Sequence, residues 1–187
     1  MSLLDASANR PLEGGPSFSL RNRAFRLVWA ICWLVFARFT PPPLHSWRRM
    51  ILRLFGARVA NGARVHASVN IWNPRNLELG ANALVGPGVR LYNQGHITIG
   101  RATVISQRAH LCASSHDLSD PNFQLVLRPI VIGDHCWIAA EAFVGPSVVM
   151  GDRSVLAARS ALFGTAEANG VYSGNPARFL KTRQFSD

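Results

Sequence analysis

Between Val59 and Ala166 the chain places one aliphatic side chain at the head of every six-residue unit. Positions 59, 65, 71, 79, 85, 91, 99, 105, 111, 132, 138, 144, 150, 156 and 162 read Val, Val, Ile, Leu, Val, Leu, Ile, Ile, Leu, Ile, Ile, Val, Met, Leu and Leu. Only 47 of the 187 residues are Leu, Ile, Val or Met, so fifteen matches in fifteen are no accident of composition. The fifth residue of each hexad is Ala, Val, Thr, Ser or Cys in thirteen of the fifteen, with Arg75 and Gly95 as exceptions. Glycine recurs at the second position, at Gly80, Gly86, Gly100, Gly133, Gly145 and Gly151. One large aliphatic and one small residue per unit suit a short strand followed by a tight corner, where glycine is expected to let the backbone turn. Three such strands close one coil. The predicted fold class is therefore all-β, a parallel β-helix of about five coils with an aliphatic ladder inside.

The spacing between coil starts carries the next level of information. Starts at 59, 79, 99, 132 and 150 differ by 20, 20, 33 and 18. Taking 18 as the plain coil, two-residue excursions are expected at Leu77-Glu78 and Ile97-Thr98, and an insertion of fifteen within 117–131. Long loops in a solenoid cost little stability and tend to hold function, so the chemistry is sought there. A bare solenoid end would expose its apolar cross-section. Leu44 to Phe55, apolar at helical spacing after Pro41-Pro42-Pro43, is the predicted N-terminal cap, and the tail 167–187 is expected to close the other end. Residues 1–18 read as disordered, 19–58 as a helical basic and apolar segment, and 59–166 as the repeat.

Charge narrows the partners. The net charge is +10, of which residues 1–58 carry +7, from nine Arg against Asp5 and Glu13. No recognised nucleic-acid module with base-stacking aromatics accompanies it, so an anionic small molecule or an anionic membrane surface fits better. Leu27 to Ala37 is an apolar run of eleven flanked by Arg26 and Arg38, too short to span a bilayer. It is a helix packed on the protein, a membrane-surface anchor over residues 20–40, or a signal segment without a small-x-small cleavage site. Cys32, Cys112 and Cys136 show no metal or redox spacing, which makes a reducing compartment the default.

Of six histidines, His116 stands apart, because it lies where the regular coil breaks into the long loop. An imidazole rooted on a rigid strand end is well placed as a general base; the competing reading is a surface histidine. The stretches Ile99 to Gln107, Ser115-His116-Asp117, Ile132 to Ile138 and Gly174-Asn175-Pro176-Ala177-Arg178 resemble the hexapeptide-repeat O-acetyltransferases. Among these the chain is similar to the colanic-acid-biosynthesis type of sugar acetyltransferase.

That resemblance implies a left-handed β-helix, a homotrimer, and acetyl-CoA as co-substrate in the groove between neighbours, with no metal. It places His116 on the family's catalytic histidine, and Trp137 beside the active site or as a rim aromatic. Ala140 and Ala158 match positions that contact the pantetheine arm through the backbone. Arg178 and Lys181 align with cations near the CoA nucleotide, and Arg159 replaces a common glycine, adding a phosphate contact or narrowing the groove. Asn93 falls near an acceptor-binding position. Asp117 either orients the imidazole or caps the loop, and Phe123 and Arg128 are placed to cover the sugar.

The expected activity is acetyl transfer to a sugar hydroxyl of an exopolysaccharide intermediate, free or lipid-linked, by direct attack with His116 as base. The acetyl-CoA pool places this on the cytoplasmic side, with peripheral contact at the inner membrane face. Two rivals remain. One is a non-catalytic β-helix scaffold. The other is a γ-type zinc carbonic anhydrase with His110, His116 and His135 as ligands.

Overall fold

The hexad ladder becomes three parallel sheets that run the length of the stack. The structure, a computed structural model, describes residues 3–184. The outermost two residues of the 1–18 stretch and three of the 167–187 tail lie outside the described residues. In the first sheet Val59, Leu79, Ile99, Ile132, Met150 and Ala166 stand in register. Val65, Val85, Ile105, Ile138, Leu156 and Tyr172 do so in the second. Ile71, Leu91, Leu111, Val144 and Leu162 do so in the third. All fifteen predicted inward residues are buried. The first sheet has six strands, which makes five complete coils and the start of a sixth.

This is a left-handed parallel β-helix. Ordinary parallel crossovers are right-handed because a twisted strand feeds a packed helix. Here most of the linked elements are two-residue strands that meet at tight corners, so no packed crossover helix sets the hand.

The corners differ from the expected arrangement. The left-handed backbone conformation falls at Asn82, Ala102, His135 and Arg153, with φ between 51° and 60°. Gly80 and Gly100, two residues earlier, are not turned this way. A Cβ on Gly80 would lie 2.5 Å from the Arg101 nitrogen, and one on Gly100 would strike the Gly133 carbonyl. These glycines allow coils to approach, and the turning is done by their neighbours.

The extra residues in the longer coils are also displaced. Leu77-Glu78 and Ile97-Thr98 are strand, within Leu77–Leu79 and Ile97–Ile99, and Leu77 and Ile97 are fully buried. The added length sits in the preceding corner, where Asn73 and Asn93 are buried. The long insertion begins earlier than expected, because Ala113 fills the buried corner position and Ser115 is exposed. It rises as a hairpin pairing Ser114–His116 with Leu125–Leu127, and Ile130–Ile132 is already the next coil.

Of the three helices before the repeat, α1 (Ala6–Asn9), α2 (Leu20–Phe36) and α3 (His45–Leu54), the last two close the N-terminal end. The first coil presents edge strands with open carbonyls, and side-chain donors from these helices satisfy them. Arg53 Nε donates to Val59 O at 2.7 Å, Arg49 to Ala63 O at 2.9 Å, Arg48 Nε to Val65 O at 2.6 Å, and Trp29 Nε1 to Ile71 O at 2.8 Å. Arg48 is fully buried and also donates to Thr40 Oγ1 and the carbonyls of Pro41 and Pro42. No helix among the described residues is long and apolar enough to cross a membrane. The other end is folded over by the antiparallel pair Gly170–Gly174 and Ala177–Thr182, joined through a cis Asn175-Pro176 bond.

Residues 3–18, expected to be disordered, are instead ordered on the insertion. Gln124 Oε1 accepts from the Ala6 N–H at 2.7 Å, and the Phe18 ring lies 4.8 Å from that of Trp72. Both contacts join residues remote in sequence, so no local pattern announces them.

Two consequences are testable by urea unfolding. Leu111→Ala should cost about 2–5 kcal/mol by leaving a cavity in the ladder, and Arg48→Met at least about 2 kcal/mol by orphaning buried carbonyls. Burial, the largest cause in each case, lowers the pKa of His45, His66 and His110 from 6.5. As pH falls the unfolded chain protonates first, so stability is complete above 6.5 and declines below it toward the lowered native values. The urea midpoint should drop on going from about pH 7.5 to about pH 5.5.

Candidate functional site

His116 ends the first strand of the insertion hairpin, where its ring is held from two directions. Nδ1 lies 2.7 Å from the Phe123 carbonyl, and the ring stacks on that of Phe123 at 3.9 Å and 11°. A carbonyl only accepts, so Nδ1 carries the proton and Nε2 is left with its lone pair. Phe123 reaches this position because its φ is +58° and its N–H bonds to Asp120 O at 2.9 Å, turning the chain back toward the histidine. Phe123, expected to cover a sugar, instead holds the His116 ring through its carbonyl and its own ring. Asp117 does not orient the imidazole. Its Oδ1 accepts from Ser119 N at 2.9 Å and Ser119 Oγ at 2.6 Å, which caps the loop and draws its carboxyl pKa down.

His116 opens on a cleft of about 430 Å³ that also takes in Phe18, Arg26, Trp72, Tyr92 and Gln94. Arg128 is not among its lining residues. Its N–H bonds to Ala113 O at 2.9 Å and fastens the returning hairpin to the coil. Asn93 is likewise not an acceptor ligand. It is fully buried, with Oδ1 accepting from Trp72 N at 3.0 Å and Asn73 N at 3.1 Å and Nδ2 donating to Asn73 O at 2.6 Å. Its amide ties one coil to the next.

The polar group beside it in the cleft is Gln94. Its Nε2 donates to Tyr92 Oη at 2.8 Å, while its Oε1 is buried without a partner among the described residues. Sequence reasoning missed Arg26, Trp72, Tyr92 and Gln94. A partial signal existed: Trp72 and Tyr92 each follow an inward residue and are twenty apart, so coil arithmetic stacks them.

The remaining candidates form a second group. Trp137 is 46% exposed on the second sheet, with Nε1 donating to Ser106 Oγ at 2.9 Å. It shares a groove of about 450 Å³ with Val104, His135 and Arg153. Ala140 and Ala158 follow successive strands of that sheet, and Ala140 O accepts from Arg159 N at 2.9 Å. Arg159, at φ +57°, pairs through Nε with Glu141 Oε2 at 2.8 Å and draws that carboxyl pKa down. Arg178 and Lys181 are exposed on the terminal hairpin, and neither has an ion-pair partner among the described residues. None of this group lines the His116 cleft.

Among the described residues no three His, Cys, Asp or Glu side chains come together as a metal site. His110 lies between the rings of Tyr92 and Phe143, His116 on the hairpin, and His135 at a corner beside the second sheet. The carbonic anhydrase ligand set therefore does not assemble within the chain.

No protein-family model matches the sequence. Over 158 residues the chain is 44% identical to WcaF of Escherichia coli (strain K12), assigned to colanic acid biosynthesis as an acetyltransferase. The match covers 84% of this chain and 86% of that protein. A galactoside acetyltransferase solved in complex with coenzyme A superposes with a TM-score of 0.80 at 22% identity, over 90% of this chain and 85% of that one. A hexapeptide-repeat acetyltransferase of Vibrio cholerae complexed with acetyl-coenzyme A gives a TM-score of 0.75 at 21% identity, over 97% and 100%. The repeat, the histidine at the root of the insertion and the extent of the match to WcaF agree, and the chain belongs to the hexapeptide-repeat acetyltransferases of the colanic-acid-biosynthesis type.

Proposed function

We propose that this chain transfers acetyl from acetyl-CoA to a hydroxyl of a saccharide intermediate in exopolysaccharide synthesis, with His116 as general base. The observation that carries this reading is the Nδ1–H to Phe123 carbonyl bond, which fixes the ring and leaves Nε2 for proton transfer. Nε2 takes the hydroxyl proton as the oxygen attacks the thioester carbonyl. The tetrahedral intermediate collapses, the C–S bond breaks, and the imidazolium returns the proton to the departing thiolate. No acyl-enzyme and no metal ion take part.

The co-substrate lies on the second-sheet face, near Trp137, Ala140 and Ala158, with Arg178 and Lys181 meeting its phosphates. Arg159 is engaged by Glu141 and serves the corner first. Separation of this face from His116 within one chain supports a homotrimer in which each site is completed by a neighbour. The saccharide acceptor is free or lipid-linked. Leu27, Val28, Ile31, Leu34 and Val35 are exposed on α2 between Arg23 and Arg38, which supports peripheral contact with an anionic cytoplasmic membrane face.

In a thiol-release assay with acetyl-CoA and a saccharide panel, His116→Ala should lower kcat by at least about 100-fold. Phe123→Leu should lower kcat by about tenfold with little change in the KM for acetyl-CoA, because it loosens the base alone. Equal rates for wild type and His116→Ala would remove the base assignment, and absence of both thiol release and CoA binding would return the scaffold reading. Ile31→Glu should weaken flotation with anionic vesicles without changing the melting temperature; unchanged flotation would remove the membrane contact.

A further inference from the structure

A pocket of about 350 Å³ lies between the start of α2 and the corner that carries Asn73, and it shares no lining residue with the His116 cleft. Ser19, Arg21, Asn22 and Phe25 form its helix side, and Asn73, Arg75 and Asn76 its coil side. Most arginines of this chain lie outside its ion pairs, so Arg21 and Arg75 do not by themselves mark a site. The direction of the pocket's amides does.

Asn73 is fully buried, and three of its polar atoms are engaged within the coil stack. Its N–H donates to Asn93 Oδ1 at 3.1 Å, its carbonyl accepts from Asn93 Nδ2 at 2.6 Å, and its Oδ1 accepts from the Arg75 N–H at 3.1 Å. The bond from Arg75 fixes which end of the amide is oxygen, so the remaining atom, Nδ2, is a donor. It has no acceptor among the described residues. Asn22 is constrained in the same sense. Its Oδ1 accepts from Arg26 Nε at 3.1 Å, which leaves Nδ2 as the donor end.

The helix adds to the same sign. α2 is 17 residues long, Ser19 caps it by accepting from Asn22 N at 3.4 Å, and no acidic residue stands in its first turn. The positive end of the helix dipole therefore meets Arg21 rather than a carboxylate. Across the pocket the Arg75 guanidinium lies 3.8 Å from the Phe25 ring centroid, and no Asp or Glu is among the lining residues.

We propose that this pocket binds a phosphate-type oxyanion, with Asn73 Nδ2, the first turn of α2 and the guanidinium groups of Arg21 and Arg75 as donors. A buried N–H without an acceptor calls for one, and a helix N-terminus beside two planar forks suits the several oxygens of a phosphate. The ligand is distinct from the substrates of acetyl transfer and needs nothing from His116. An anion seated here bridges α2 and the coil stack, because Asn73 is bonded to Asn93 and Asn76 Nδ2 donates to Asn93 O at 3.1 Å. Free phosphate and the phosphate of a lipid headgroup share this chemistry, and the exposed apolar residues of α2 suit the second.

The test uses the full chain. Inorganic phosphate is titrated by calorimetry against sodium chloride of equal ionic strength, and flotation compares phosphatidylglycerol with phosphatidylcholine vesicles. Phosphate should bind saturably at one site per chain and raise the melting temperature, and chloride should not. Asn22→Asp keeps the oxygen that Arg26 uses and puts a carboxylate in the first turn, which favours the helix. Its melting temperature in chloride should hold or rise, while its affinity for phosphate falls at least about tenfold. Arg21→Gln/Arg75→Gln should lose affinity by a similar factor with the fold intact. Should calorimetry be silent, flotation on phosphatidylglycerol alone that Asn22→Asp abolishes assigns the site to a headgroup. Binding that chloride reproduces, binding that persists in both variants, or no binding of phosphate or of either vesicle would overturn the proposal.

Discussion

A two-residue strand makes too few hydrogen bonds to persist alone, so every coil of this β-helix exists only because the coils on either side hold it. The inward aliphatic row supplies the apolar gain, and the strand amides and carbonyls are satisfied along the axis. Such a stack has one weakness, its ends. At the N-terminal end α2 and α3 bring Trp29, Arg48, Arg49 and Arg53 to the open carbonyls of the first coil. Part of the basic surplus of residues 1–58 is therefore structural, and it should not all be read as affinity for an anion.

The rigidity of the stack passes to the insertion. Its hairpin leaves from Ala113 and is refastened there by Arg128 N–H, so His116 stands a few residues from a fixed point. Residues 3–18 brace it from the other side through Gln124. A loop that costs little to insert thus carries a side chain whose position is set by the coil, the N-terminal segment and its own turn.

The histidine is oriented by a backbone carbonyl rather than by a carboxylate. That difference matters chemically, because a carbonyl fixes the tautomer without placing a negative charge beside the ring. The carboxylate nearest in sequence, Asp117, is engaged by Ser119. Among the described residues three buried side-chain atoms lack a partner, Gln94 Oε1, Trp33 Nε1 and Asn73 Nδ2, and Gln94 is the one in the His116 cleft.

The coil, its aliphatic ladder and a helix within Leu44 to Phe55 were legible in the sequence, as was the place of His116 at the break of the repeat, because each is written in local periodicity or in its interruption. The sequence misread the corners, since a glycine required by the backbone of a neighbouring coil looks the same on paper as one required by a turn. It also placed Asn93 among ligands and residues 3–18 within a disordered segment. Only the tertiary structure decided those, along with the Phe123 carbonyl on Nδ1 and the meeting of Asn73 with the start of α2. The reason is physical: these features depend on contacts between residues in different coils or at opposite ends of the chain, and periodicity records only what a residue does within its own turn.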